Sequence, residues 1–209
     1  MSLICPTILA SNEAEYASQM RKVASLGGRI QIDLMDGEFA SPRSVELEKV
    51  WWPPHLRVDI HLMYQRPMKY LEKLLHLKPH MVIIHFEADV DHMYFAAELH
   101  KEGIKAGLAV LPNTQIKNVE NLLTGFDHLL IFSGDLGRFG GQADLQLLPK
   151  AREAKQNHSD LEVGWDGGVN DRNAKQLADS GVDILNVGGF LQSSEKPSRA
   201  FDVLLNSLN

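Results

Sequence analysis

Two carboxylates stand at the ends of two separate apolar runs: Asp33 in Gln31-Ile32-Asp33-Leu34-Met35-Asp36-Gly37, and Asp166 in Val163-Gly164-Trp165-Asp166-Gly167-Gly168-Val169. Between them, Val58-Asp59-Ile60-His61-Leu62-Met63 closes in the same way on an imidazole, His61. A pair of carboxylates on opposite faces of one carbon can take a proton from one side and return it from the other. An imidazole beside them completes a donor set able to hold a divalent cation. These are the parts of a metal-assisted proton-transfer site, and three strand ends must bring them together.

The rest of the chain supplies a scaffold of that kind. Short apolar runs at 3–10, 29–35, 57–63, 81–85, 106–111, 128–132, 161–165 and 184–187 read as strands. Amphipathic stretches at 12–26, 67–77, 90–102, 116–123, 146–157, 171–180 and 196–205 read as helices between them. The second connection, 41–54, is the weak one. Local chemistry agrees with the period: Asn170-Asp171 reads as a helix opening, and Gly103 and Gly181 close helices just before the next strand. Eight βα units with no remainder predict an α/β fold of the closed (β/α)8 type, a TIM barrel, with residues 1–209 forming one domain.

In such a barrel the chemistry sits at the carboxyl ends of the strands. That rule separates His61 and His85, at strand carboxyl ends, from His55, His76, His80, His92, His100, His128 and His158, which fall in helices, connections or strand starts. The second group is read as surface or hydrogen-bonding residues. His85 and Glu87 are read as support for the site or for the fold. Trp165, directly before Asp166, would reshape the cavity if it pointed inward and would pack under a helix if it pointed outward.

Composition narrows the partners. With 44% apolar and 23% charged residues the chain can bury a substantial core. A net charge of −6 with scattered Lys and Arg offers no basic face to nucleic acid, so an anionic ligand must be captured locally by backbone amides. The single cysteine, Cys5, excludes an internal disulfide and a multi-cysteine zinc site, and is read as a packing residue in a cytoplasmic protein. Neither a charged leader nor a run near the ~18 apolar residues of a membrane span is present, so export and membrane insertion are not expected.

Several ordered motifs resemble one family along nearly the whole chain, the ribulose-phosphate 3-epimerases. Pro6-Thr7-Ile8-Leu9-Ala10 is similar to the family's opening strand, with Thr7 where serine is usual. Asp33-Leu34-Met35-Asp36-Gly37 and Asp59-Ile60-His61-Leu62-Met63 resemble its second and third motifs, and His85-Phe86-Glu87-Ala88 its fourth. Phe139-Gly140-Gly141-Gln142 keeps the latter half of the sixth-loop motif, and Asp166-Gly167-Gly168-Val169-Asn170 resembles the seventh.

The resemblance implies a ribulose-phosphate-binding barrel and a two-aspartate epimerase acting through an enediolate, with Asp33 and Asp166 catalytic. It implies one divalent metal ion, zinc, iron or similar, on Asp33, His61 and Asp166. The family's remaining ligand position is histidine, and here it is Gln31, a poorer ligand than imidazole for zinc or iron. For Gln31 we read hydrogen bonding ahead of ligation, and metal binding that is weak or lost. Met35 and Met63 resemble methionines that line the family's site, and a third methionine is replaced by Ser133. Glycine pairs at the last three strand ends, Gly140-Gly141, Gly167-Gly168 and Gly188-Gly189, let backbone amides approach a phosphate, as barrels commonly arrange.

Further departures are Glu38-Phe39-Ala40-Ser41-Pro42 after the second motif, Leu136-Gly137-Arg138 in the sixth loop, and Gly189 where serine is usual. The expected partner is therefore a phosphorylated ketose bound at Thr7, the two methionines and the glycine pairs, with neither nucleic acid nor membrane and with self-association open. Three readings compete: a ribulose-phosphate 3-epimerase-like isomerase, an epimerase of another ketose phosphate such as a hexulose phosphate, and a non-catalytic sugar-phosphate-binding homologue that has lost efficient metal binding through Gln31.

Overall fold

The computed structural model describes residues 2–137 and 141–208. Eight parallel strands close on themselves in chain order: β1 (Leu3–Leu9), β2 (Arg29–Met35), β3 (Arg57–Met63), β4 (Met81–His85), β5 (Lys105–Val110), β6 (His128–Phe132), β7 (Glu162–Asp166) and β8 (Ile184–Val187). β8 pairs back onto β1 through Leu3 and Ile184, which completes the ring. This is the (β/α)8 barrel that the alternation implied. The helices are α1 (Glu13–Val23), α2 (Leu71–Leu77), α3 (His92–Lys101), α4 (Glu120–Leu123), α5 (Leu148–Asn157), α6 (Ala174–Asp179), α7 (Gly189–Gln192) and α8 (Pro197–Ser207). None of them is long and apolar enough to cross a membrane.

The differences from the sequence reading have local causes. α1 starts at Glu13 because Asn12 is its cap, accepting from the Glu15 amide at 3.0 Å, and α3 starts at His92 because Asp91 caps it through the Tyr94 amide. α6 opens three residues later than the Asn170-Asp171 signal. Asn170 and Asn173 spend their side chains on a preceding turn, with Asn170 Oδ1 accepting from Arg172 and Asn173 Oδ1 from Asn170. The weak second connection contains only the 3-10 turn Leu47–Lys49. α7, a single short turn after β8, has no periodic signal in the sequence because four residues cannot show one.

Every strand is buried on both faces, as a parallel barrel under helices requires. Alternate residues point outward into the main core, among them Ile30, Ile32 and Leu34 from β2 and Ile60 and Leu62 from β3. Trp165 belongs to this outer core, fully buried, with its indole N–H donating to the Gly167 carbonyl, so it packs under the helices and does not shape the cavity. Inside the barrel the middle layer is a small apolar plug of Met81, Ile83, Ala109 and Leu130.

Below the plug, at the amino ends of the strands, lies a charged network. Arg29 Nε donates to Asp59 Oδ2 at 2.6 Å, the same guanidinium grips both Glu162 oxygens at 2.7 and 2.8 Å, and His128 Nδ1 meets Glu162 Oε1 at 2.8 Å. The glycine at 164 is required by it, since a Cβ there would lie 2.5 Å from His128 Nε2. This network sits far from the strand carboxyl ends and works for the fold.

Candidate active site

The period of two along each strand decides which residues face the barrel axis at its upper end. On β2 these are Gln31 and Asp33, on β3 His61, on β4 His85, and on β7 Asp166. Strand register sets Asp33 beside His61, and closure of the ring brings β7 across to meet them.

The groups touch. His61 Nδ1 lies 2.9 Å from Asp33 Oδ1 and 3.7 Å from Asp166 Oδ2. Gln31 Nε2 donates to Asp33 Oδ1 at 2.8 Å and to Asp166 Oδ2 at 2.7 Å, so one amide bridges the two carboxylates. On the far side of His61, its Nε2 faces His85 Nε2 at 2.9 Å, and one of the two nitrogens must carry a proton. Glu87 stands behind His85 and is anchored by the Leu111 amide at 3.0 Å and by the Thr114 hydroxyl. Burial and the neighbouring Asp33 charge push the Asp166 carboxyl up to about 7, while burial pulls His85 down to about 4. Asp166 is thus poised to hold or yield a proton near neutrality, and His85 is a neutral imidazole.

The donor set also fits a divalent cation. One ligand atom from each of Asp33, His61 and Asp166 lies within 4.8 Å of the others, a crowd of negative charge that either a proton or a cation relieves. The Gln31 amide gives a further sign, because its Oε1 is buried with no hydrogen-bond partner while its Nε2 faces the carboxylates. Half a turn of that amide would offer its oxygen to the same point, and which way an amide faces is set by its surroundings.

Above these groups opens a cavity of about 430 Å³. Thr7, Asp33, Met63, Asp166 and the glycines 141, 167, 168, 188 and 189 all line it. Met35 packs beside Met63, Ala40 and Leu136, one step away from the cavity wall. Gly140 and Arg138 lie outside the described residues. At the glycine loops the carbonyls are engaged from within the protein. Gly167 accepts from Trp165, Gly168 from both Asn170 and Asn173, and Gly189 from the Ser193 hydroxyl at 2.6 Å. Gly168, at φ 70°, packs so closely that a Cβ would fall 2.1 Å from the Ala143 nitrogen. Only glycine meets both demands.

Asn186 on β8 was not among the residues singled out from the sequence. It is buried, lines the cavity, and pairs in register with Asp166. The one available signal was an amide inside the apolar run Ile184-Leu185-Asn186-Val187. Ser133, expected from the resemblance to replace a methionine, is buried and uses its hydroxyl to accept from the Asp144 amide.

Known proteins give the geometry its context. The chain is 30% identical to ribulose-phosphate 3-epimerase of Mycobacterium tuberculosis, over 97% of this chain and 91% of that protein. It is 28% identical to ribulose-phosphate 3-epimerase of Bacillus subtilis, over 99% of this chain and all of that protein. Among solved structures, 3-hexulose-6-phosphate synthase from Salmonella typhimurium superimposes with a TM-score of 0.73 over 100% of this chain and 98% of that one, and at 14% identity this speaks to the fold alone. The sequence profile described as the ribulose-phosphate 3 epimerase family matches residues 3–191, and by this match, which spans nearly the whole barrel, the chain belongs to that family.

Proposed function

We propose that the protein epimerises a phosphorylated ketose at C3, interconverting ribulose 5-phosphate and xylulose 5-phosphate through an enediolate. The observation that carries this reading is the juxtaposition of Asp33 on β2 and Asp166 on β7 at the floor of a cavity rimmed by glycine loops. One carboxylate removes the C3 proton and the other returns a proton to the opposite face. The Asp166 carboxyl, raised by burial and by Asp33, is the group suited to enter the cycle protonated. When no cation is held, Gln31 Nε2 keeps the two carboxylates in fixed relation.

Asp33, His61 and Asp166, with Gln31 turning its amide oxygen inward, would hold a divalent cation, which when bound supplies Lewis-acid stabilisation of the enediolate oxygens. Met63 gives the planar intermediate a polarisable apolar wall. The backbone at Gly167, Gly168, Gly188 and Gly189 meets the phosphate with no side chain between them. Deuterium incorporation from D2O into ribulose 5-phosphate and xylulose 5-phosphate tests the activity. Incorporation into a hexulose phosphate instead would change the sugar, and no incorporation into any ketose phosphate would leave a binding homologue.

A further inference from the structure

Asn186 is a buried polar side chain in the cavity wall that the proton-transfer machinery does not use. It is 2% exposed, yet neither its Nδ2 nor its Oδ1 has a hydrogen-bond partner among the described residues. Two unpaired polar atoms on one buried side chain are costly to the fold, and such costs persist where the side chain serves a ligand.

Its position says which part of a ligand it meets. On β8 it is the register partner of Asp166 on one side and of Cys5 on the other, and it lies two residues before Gly188. Asn186 therefore stands level with Asp166 and below the glycine pair that follows β8, so a ligand reaching from the carboxylates to that pair passes over it. A phosphorylated ketose bound across that span, as the proposed function requires, passes Asn186 with the carbon that separates the reacting centre from the phosphorylated end. In a pentulose 5-phosphate that carbon is C4, and it bears a hydroxyl. A hydroxyl both donates and accepts, as does an amide, so it can engage Oδ1 or Nδ2.

We infer that Asn186 is a specificity-determining residue, whose side-chain amide hydrogen-bonds the hydroxyl of the substrate carbon next to the reacting centre on the phosphate side. The inference rests on the proposed function, and its test separates the two.

Wild type, Asn186→Leu and Asn186→Ala are compared for kcat/KM with ribulose 5-phosphate and with its 4-deoxy analogue, and for Tm without ligand. Wild type should favour the hydroxylated sugar by about 10- to 100-fold. Asn186→Leu should lose that preference by falling on the hydroxylated sugar alone, while its Tm stays equal to wild type or rises. Asn186→Ala, which leaves more room, should lose the preference in the same way. Retention of the preference by both variants overturns the assignment, as does a Tm that drops in Asn186→Leu, since that would reveal a structural partner. Wild type that neither turns over nor binds either sugar by calorimetry overturns the proposed function and this assignment together.

Discussion

Removing one carboxylate should uncouple proton exchange from epimerisation. The two C3 epimers present their C3–H bonds to opposite faces, so each is deprotonated by a different aspartate. In Asp166→Asn the epimer whose proton faces Asp33 should still exchange it with D2O, while the other epimer should not exchange and net interconversion should fail. Asp33→Asn should show the complementary pattern. An acid–base group contributes about 10²–10⁴-fold, which is about 2.7–5.4 kcal/mol on the barrier. The structure argues that this loss is chemical and not a failure of folding. Asp166 accepts from Gln31 Nε2 at 2.7 Å, and Asp33 accepts from Gln31 and His61 at 2.8 and 2.9 Å, all through oxygens that an amide can also present. The assay is NMR of the C3 proton in D2O for each epimer beside a coupled assay of net turnover, with Tm as the folding control. If either variant exchanged both epimers at comparable rates, or kept epimerisation within tenfold of wild type, the two-face mechanism would be wrong.

Gln31→His should bind zinc more tightly than wild type by calorimetry, and wild type should give up its metal readily to a chelator; equal affinities would mean that position 31 does not face the cation. Gly168→Ala forces a side chain onto φ 70° and onto the Ala143 nitrogen, so phosphate competition should weaken sharply and Tm should fall, whereas normal phosphate inhibition would free that loop of its assigned role. Burial raises the Glu162 carboxyl, but the hydrogen bonds from His128 and Arg29 outweigh it and hold the group well below the usual carboxylate range. Its stabilisation is therefore present above the unfolded pKa of about 4.3 and is lost as pH falls below that. Glu162→Gln should lower the urea midpoint at pH 7 and flatten its decline on acidification below about pH 5, and parallel acid profiles for the two proteins would contradict this.

Much of the barrel is legible in the sequence because it is built from local signals. The change from two-residue to helical period marks each βα unit within some twenty-five residues, and the strand-end rule then points to Asp33, His61 and Asp166 without knowledge of any contact. Boundaries slip where two local signals compete, as at Asn170-Asp171, where an amide pair builds a turn before α6 begins. The glycine pairs are visible as pairs, while the demand at Gly168 comes from a loop 25 residues away in the chain.

What the chain determined alone is the order of its strands and the residue types at their ends, since both depend on neighbours in sequence. What tertiary structure decided is which of those residues meet. Gln31 reaches Asp166 across 135 positions, and only ring closure reveals that its amide links the two carboxylates. The Arg29, Asp59, Glu162 and His128 network joins four strands. Strand alternation marks Arg29 and Asp59 as lying on the face opposite Ile30 and Ile60, but no local pattern records which charges from other strands they meet there. Asn186 is the plainest case: a polar residue in an apolar run gains meaning only when both its amide atoms are seen unpaired against the cavity. Hydrogen-bond satisfaction is a property of three-dimensional neighbours, and no ordering of residues along a line can state it.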